Sequence, residues 1–127
     1  MRLLHIENDV GILKAVARML TRLFGPELEI VQRVDATGAI EQLAGDWDVV
    51  LCDMQLDDGT TGMQVYEWLV AHRPEQLSRF VFVTSHDMSH LHPRSLVKPV
   101  MPSVFVAEVR AVLEQRTGVA TLQQGAA

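Results

Sequence analysis

The sequence predicts an α/β fold: one doubly wound sheet of five parallel strands with helices on both faces. Three observations predict it. Nearly continuous apolar runs, as in residues 47–52, are typical of strands buried on both faces. Other segments repeat apolar residues every three or four positions, which indicates helices. The two kinds of segment alternate along the chain, which is typical of a parallel sheet with helical crossovers.

Each element has its own signal. Asp9 and Asp35 precede the first two helices as candidate N-caps, and Gly25 and Gly45 end them. The predicted strands cover residues 3–6, 28–34, 47–52, 80–83 and 95–97, and the predicted helices cover 10–24, 36–44, 63–72 and 104–115. Only the ten residues 85–94 lie between Thr84, at the end of the fourth strand, and the start of the fifth. A crossover with its helix needs at least about 10–12 residues, so the fourth helix should be shortened or absent.

Length and composition limit the function. The 127 residues suit one domain, expected over 1–116 with a flexible tail over 117–127. The net charge is −5 and the cations form no run, which argues against a nucleic-acid partner. No apolar stretch is long enough for a membrane span or a signal peptide. The single cysteine, Cys52, excludes an internal disulfide. We therefore expect a cytoplasmic protein without membrane contacts.

Polar and charged residues follow four of the strands where each one ends. Ligands of open parallel sheets bind at this carboxyl edge, so these side chains should converge. Carboxylates there attract Mg²⁺, while a lysine and a hydroxyl can hold anionic oxygens. An aspartate can also act as a nucleophile and form an aspartyl-phosphate. In chain order, the residues are Glu7, Asn8, Asp9, Asp53, Thr84 and Lys98.

On these motifs, the chain resembles the receiver domain of two-component response regulators, which has a flavodoxin-like fold. The matching pieces are the Glu7-Asn8 pair, Asp53, Thr84 and the Lys98-Pro99 pair. Each motif alone is a weak indication of the family, but the occurrence of all four in this order, each after the expected strand, is specific. The resemblance covers roughly residues 2–115. The loop after Asp53 resembles that of receivers in which this loop is slightly longer.

The resemblance implies a role for each motif residue. Asp53 would accept a phosphoryl group from a sensor histidine kinase or a phosphotransfer protein. Thr84 would bond a phosphoryl oxygen, Lys98 would pair with it, and a cis bond before Pro99 would aim the lysine. The implied Mg²⁺ ligands are Glu7, Asn8, Asp53 and the backbone carbonyl of Gln55. Signalling would proceed through protein–protein contacts, and the resemblance also allows a homodimer.

Three departures from the receiver pattern are visible. Asn8 replaces the second acid of the pair, so we expect weaker Mg²⁺ binding. Asp9 is better assigned to capping the first helix. Ser95 stands where receivers usually carry an aromatic switch residue, three places before the lysine. The short fourth helix puts the usual output surface in doubt, and the first helix or the exposed end of the last one are other candidates for partner contacts.

Gln55 and His86 are candidates for setting the lifetime of the phosphorylated state. Gln55 lies two places after Asp53, and His86 lies two places after Thr84. In receivers these positions flank the path of the attacking water. We therefore expect both side chains to tune autodephosphorylation, in a protein that is a phosphoacceptor and not an enzyme.

Three other functions are alternatives to a phosphorylated receiver. A pseudo-receiver would act as a phosphorylation-independent scaffold or kinase-binding module, with Asn8 and the short fourth helix as signs of decay. A phosphatase of the haloacid dehalogenase kind needs a second aspartate where Gln55 stands, and places its nucleophile after the first strand. A flavodoxin-like flavin carrier needs a Ser/Thr-rich phosphate loop after the first strand, which the chain lacks.

The histidines outside this set favour structural interpretations. His86, His90 and His92 form an H-x₃-H-x-H cluster, and closely spaced imidazoles can bind zinc. No cysteine accompanies them and the segment is polar, so a solvated loop is the better prediction. His5, within the first strand, is expected to be partly buried with its hydrogen bonds satisfied.

Overall fold

The computed structural model describes residues 1–117, with side chains as far as residue 115. Five parallel strands form one sheet in the order β2-β1-β3-β4-β5. The strands are β1 (Arg2–Ile6), β2 (Glu29–Arg33), β3 (Val49–Cys52), β4 (Phe80–Thr84) and β5 (Ser95–Val97). The helices are α1 (Val10–Phe24), α2 (Ala36–Leu43), α3 (Gly62–His72) and α4 (Pro102–Thr117), with short 3₁₀ turns at Gly25–Glu27 and Pro74–Arg79. The predicted doubly wound architecture is confirmed.

The helices begin where side chains can satisfy their first backbone N–H groups. The Asp9 carboxylate accepts a hydrogen bond from the Ile12 amide, and Asp35 accepts one from the Gly38 amide. Thr61 and Gln64 form a reciprocal capping box at α3. Each such cap typically stabilises a helix by about 1 kcal/mol. The caps fix where each helix leaves the carboxyl edge of the sheet.

Alternate residues of the central strands point to opposite faces of the sheet, and each face has its own buried cluster. The α2–α3 face is formed by strand residues that include Leu4, Val50 and Phe82, packed against α2 and α3. The α1–α4 face is formed by strand residues that include Leu3, Leu51 and Val83, packed against α1 and α4. Since β1, β3 and β4 bury both sides, their sequences are apolar almost throughout.

Residues 85–94 contain turns and bends but no helix, so the fourth helix of the prediction is absent rather than shortened. Internal hydrogen bonds hold this loop: the His92 amide donates to the Met88 carbonyl, and the Met88 amide donates to the Ser95 hydroxyl. The His92 side chain is 5% exposed. Its Nε2 pairs with the Phe80 carbonyl, and its ring packs edge-on against Tyr66 and Phe80.

The buried position of His92 corrects part of the histidine prediction. His86 and His90 are exposed, as expected for a solvated loop, whereas His92 belongs to the aromatic core of the α2–α3 face. Within residues 1–117, no group of three or more His, Cys, Asp and Glu is arranged to hold a metal ion. The H-x₃-H-x-H spacing therefore does not create a zinc site in the described chain.

Several boundaries also differ from the prediction. Trp47 lies before β3 and is buried in the core, where its indole N–H donates to the Gln42 carbonyl. Helix α4 begins earlier, at Pro102, and includes Thr117, the first residue of the predicted tail. The rest of that tail, 118–127, lies outside the described residues. No helix within residues 1–117 is long and apolar enough to cross a membrane.

Candidate functional site

Backbone hydrogen bonds continue past the strand ends and fix the predicted site residues. The Glu7 amide donates to the Arg33 carbonyl at 3.0 Å, and the Asp53 amide donates to the Ile6 carbonyl at 2.9 Å. The Lys98 amide donates to the Thr84 carbonyl at 2.8 Å. The backbone at Glu7, Asp53 and Lys98 is therefore held by hydrogen bonds that continue those of the sheet, and this fixes where the three side chains begin.

Glu7, Asp53 and Lys98 form an ionic triad at the carboxyl edge, in which the two carboxylates are buried and the lysine is partly exposed. The Lys98 ammonium lies 3.0 Å from Glu7 Oε1 and 2.9 Å from Asp53 Oδ2. The second oxygen of each carboxylate accepts from a backbone amide, Glu7 from Asp9 and Asp53 from Met54. Glu7 is 2% exposed and Asp53 is 8% exposed. Both carboxylates are thus held in one orientation before any ligand arrives.

The charges of the triad do not cancel. Burial raises the pKa of Glu7, and the hydrogen bond from Lys98 offsets this only in part. Burial alone would lower the pKa of Lys98, but its hydrogen bonds to Asp53 and Glu7 outweigh that effect and raise it. Two carboxylates facing one ammonium leave one negative charge uncompensated when both are ionised. The site therefore favours a further cation.

The donor set fits Mg²⁺, which usually takes one or two carboxylates, keeps several waters and adds phosphate oxygens. Glu7 and Asp53 supply the two carboxylates. The Gln55 backbone lies in a tight turn next to Asp53, bracketed by hydrogen bonds from Gly62 to Met54 and from Leu56 to Thr60. The Asn8 side chain is exposed at the rim of the site. A bound Mg²⁺ would take its protein oxygens from these residues.

The remaining predicted residues surround the triad. Thr84 ends β4, is 3% exposed and is paired in register with Val97, the residue before Lys98. Gln55 and His86 are exposed, and the His86 ring contacts the Ser85 hydroxyl at 3.2 Å. Neither makes a hydrogen bond to the triad within the described residues. The peptide bond between Lys98 and Pro99 is cis, as expected.

Comparisons with solved structures find known proteins that share this fold. A response regulator receiver domain protein (CheY-like) from Methanospirillum hungatei superposes with a TM-score of 0.76 at 20% identity, covering 92% of this chain and 96% of the other. A response regulator receiver protein from Sinorhizobium medicae gives 0.73 at 21% identity, with 91% and 96% covered. The chain has the receiver fold.

A third receiver-domain structure, from Clostridium thermocellum, has a TM-score of 0.72 at 18% identity over 93% of this chain and 98% of that one. No protein-family model matches the sequence, and no curated protein matches it significantly. Identities this low show a shared fold, while the individual residue roles must be argued from the site. The chain spans nearly the whole length of these receiver structures.

The sequence did not predict the environment of two residues beside the triad, His5 and Gly62. His5 is 3% exposed, and its Nδ1 has no hydrogen-bond partner, which corrects the expectation of a satisfied histidine. Burial, aided by the nearby Lys98 charge, lowers its pKa to about 4. At Gly62, an added Cβ would lie 2.3 Å from the Asp53 carbonyl oxygen. Gly62 therefore lets α3 start directly against the backbone of Asp53, and the capping box before it was the available signal.

Proposed function

We propose that the protein is a response regulator that accepts a phosphoryl group on Asp53 from a sensor histidine kinase or a histidine phosphotransfer protein. The observation that carries the proposal is the ionic triad, in which Lys98 bridges Asp53 and Glu7 at the carboxyl edge of a receiver fold. Since Asp53 is held by Met54 and Lys98 rather than by solvent, it is oriented as a nucleophile requires.

The transfer follows from these contacts. A carboxylate oxygen of Asp53 attacks the phosphorus of the phosphohistidine donor, the P–N bond breaks, and the donor imidazole leaves with the bonding electron pair. Bound Mg²⁺ would supply positive charge to the phosphoryl oxygens during transfer. Lys98 pairs with the negative charge that the new group adds, and the Thr84 hydroxyl donates a hydrogen bond to one of its oxygens. The sheet keeps these groups in place throughout.

We propose no enzymatic role, since loss of the phosphoryl group would be hydrolysis of the protein's own acyl phosphate and not the conversion of an external substrate. The exposed positions of Gln55 and His86 at the rim suit side chains that control how water reaches the acyl phosphate. Signalling would proceed through protein–protein contacts. We also propose a cytoplasmic location, with which the single, fully buried cysteine is compatible.

Intact-mass spectrometry after incubation with Mg²⁺ and acetyl phosphate tests the proposal. We expect one phosphoryl adduct on the wild type and none on Asp53→Asn. Asp57→Asn is the matched control, because Asp57 is an exposed acid in the same loop and should leave the adduct intact. A stable adduct on Asp53→Asn, or none on the wild type, would contradict the assignment.

The Mg²⁺ requirement gives a second arm of this experiment. EDTA should abolish the adduct, since the negative charge that Lys98 leaves uncompensated would then repel the anionic phosphodonor. Asn8→Asp should lower the Mg²⁺ concentration needed for half-maximal labelling, because it adds a charge at the rim. If the wild type takes no phosphate even at high Mg²⁺ while Asn8→Asp does, the alternative of a phosphorylation-independent, kinase-binding scaffold is favoured.

A further inference from the structure

The segment between β3 and α3 folds into a small β-hairpin, residues 55–61, which we call the acceptor hairpin. Gln55 and Thr61 form an antiparallel bridge at its base. At its tip, Asp58 and Gly59 have φ angles of 59° and 68°. Two successive positive φ angles, on an Asp-Gly pair, are typical of the type I′ turn that closes tight hairpins. The chain therefore leaves Asp53 along a regular structure and not along an open loop.

The register of the acceptor hairpin leaves the Gln55 carbonyl oxygen outside its hydrogen bonds. One bond, on the α3 side of the bridge, is donated by the Gly62 amide to the Met54 carbonyl at 2.7 Å. The other, on the tip side, is donated by the Leu56 amide to the Thr60 carbonyl at 3.1 Å. A residue between two such bonds points its own N–H and C=O away from the opposite strand. The Gln55 carbonyl is thus open to a ligand while the backbone on both sides of it is fixed.

The base of the hairpin is joined to the candidate phosphoacceptor. Only Met54 separates Gln55 from Asp53 along the chain. The Met54 amide donates to the Asp53 carboxylate at 2.7 Å, and its carbonyl accepts from Gly62. The same short stretch of backbone therefore orients both the Asp53 carboxylate and the Gln55 carbonyl.

The tip of the hairpin is tied to the connection between β2 and α2. The Thr60 hydroxyl accepts a hydrogen bond from the Ala36 amide at 3.0 Å and donates one to the Asp57 carbonyl at 2.6 Å. The Asp57 amide donates to the Val34 carbonyl at 2.9 Å. Ala36 is the first residue of α2, so the hydroxyl satisfies an N–H group that the helix itself cannot pair. Through Thr60, the hairpin is held at its tip as well as at its base.

We propose that Thr60 is a positioning residue for the bound cation: its hydroxyl anchors the acceptor hairpin to α2 and so fixes the Gln55 carbonyl as a ligand. The inference rests on the proposed function, since it concerns the same cation. A ligand is effective only when its supporting contacts hold it in the productive geometry. This matters more here because the neutral Asn8 leaves the site with one charged ligand fewer than an acid at that position would supply.

A purely structural role is the competing explanation for Thr60. Its hydroxyl would then stabilise the start of α2, as helix caps do, and its loss would lower the melting temperature without changing the affinity for a cation. Measuring both quantities on the same variants separates the two roles.

The test measures Mn²⁺ binding by the full unphosphorylated chain, with Mn²⁺ as a paramagnetic substitute for Mg²⁺ and the electron paramagnetic resonance signal of free Mn²⁺ as the readout. Thr60→Val keeps the branched shape and removes both hydroxyl hydrogen bonds. It should raise the dissociation constant about tenfold, as loss of a supporting contact at a metal site does. Thr60→Ser keeps the hydroxyl and should stay within about twofold of the wild type. Thr37→Val is the matched control, since Thr37 is exposed in the first turn of α2, and it should also stay within about twofold.

Labelling by acetyl phosphate gives a second readout that a purely structural role would not change. At limiting Mg²⁺, Thr60→Val should be labelled more slowly than the wild type. At saturating Mg²⁺ the two rates should agree within about twofold, because the substitution lowers the occupancy of the cation site and leaves Asp53 unchanged.

Gly59 keeps the test decisive if Thr60→Val lowers the melting temperature. An added Cβ at Gly59 meets no atom within 4 Å, but its φ of +68° is one that few side chains adopt. Gly59→Val should therefore distort the tip and weaken Mn²⁺ binding, because branched residues avoid this conformation. Gly59→Asn should bind as the wild type does, since asparagine tolerates it.

Three results would overturn the proposal. If Thr60→Val and Gly59→Val bind Mn²⁺ as tightly as the wild type, the cation site stands and the positioning role of Thr60 is refuted. If Thr60→Ser weakens binding as much as Thr60→Val, the hydroxyl is not the anchoring group. If the wild type binds Mn²⁺ no more tightly than Asp53→Asn, the cation does not occupy this site, and the proposed Mg²⁺ requirement fails with the inference.

Discussion

The two faces of the sheet each carry two helices, yet they are closed to different degrees. On the α2–α3 face, where the sequence left room for at most a shortened helix, the loop 85–94 packs the His92 ring against both Tyr66 and Phe80 and closes the core. On the α1–α4 face, the two helices leave a groove whose apolar walls reach solvent. The number of helices therefore does not decide which face is open.

A face of the sheet is therefore closed to solvent by the volume of its side chains and not by the number of its helices. The α2–α3 face buries Trp47, Phe80 and Phe82 at no more than 1% exposure, so its core is filled although no helix connects β4 and β5. On the α1–α4 face the buried strand residues are aliphatic, and the helices contribute Phe105 as the buried aromatic. Substitutions in the core of the α2–α3 face should therefore lower the free energy of unfolding strongly. Substitutions at the surface of the α1–α4 face should lower it only slightly.

The largest expected effect comes from emptying the sealed face. Phe82→Ala should lower the free energy of unfolding by about 3–5 kcal/mol, because the ring is fully buried among Tyr66, Phe80 and His92. Urea denaturation followed by circular dichroism measures the change. A loss below about 1 kcal/mol would mean that the aromatic cluster can collapse, and that the sealed face is not as close-packed as the comparison requires.

On the α1–α4 face, the pH dependence of the free energy of unfolding should reveal the contribution of His5. With its pKa lowered from 6.5 to about 4 in the folded protein, His5 takes up a proton first in the unfolded chain. Its stabilising contribution is present above pH 6.5 and is lost as the pH falls toward 4, by about 3 kcal/mol in total. The raised pKa of Glu7 acts oppositely, adding stability on acidification.

His5→Leu isolates the histidine, because Glu7 is present in both proteins. The difference in unfolding free energy between wild type and His5→Leu should change in favour of the variant as the pH falls from 7 to 4. Denaturation midpoints measured at several pH values give this difference. A constant difference over that range would show that His5 is not held neutral in the folded state.

A moderate effect is expected where the loop replaces the helix. His92→Ala should cost about 1–3 kcal/mol, since it leaves the Phe80 carbonyl without its buried partner and opens space in the aromatic cluster. Amide hydrogen exchange should rise most within residues 85–94. His90→Ala is the control: His90 is exposed in the same loop, and its loss should stay within about 0.5 kcal/mol. Equal effects would refute the sealing role of His92.

The smallest effect is expected at the groove. Met19→Ala should cost about 1 kcal/mol or less, because Met19 is only partly buried at the groove wall. Chemical denaturation beside Phe82→Ala measures the contrast directly. If Met19→Ala destabilised the protein as much as Phe82→Ala, the groove would be part of the core and not a surface kept open.

Much of the fold could be predicted because local chemistry and tertiary structure agree. Strands that bury both sides must be continuously apolar, and the Asp9 and Asp35 caps mark where helices begin, so the alternation and the sheet class followed directly. Glu7, Asp53, Thr84 and Lys98 were identified because parallel strands bring their carboxyl ends to one edge. Strand ends were less certain, as at Trp47, because apolar periodicity does not distinguish a buried strand residue from a buried loop residue.

Which residues reach the carboxyl edge can be read from the sequence, because the alternation of strands and helices makes the sheet parallel and local patterns mark where each strand ends. How these residues pair with one another, and which of their neighbours are buried, depends on the tertiary structure. The pairing of Lys98 with both Glu7 and Asp53, the orphaned nitrogen of His5 and the burial of His92 depend on contacts between residues distant along the chain. Packing of complementary volumes sets such contacts, and no local pattern records which volumes will meet.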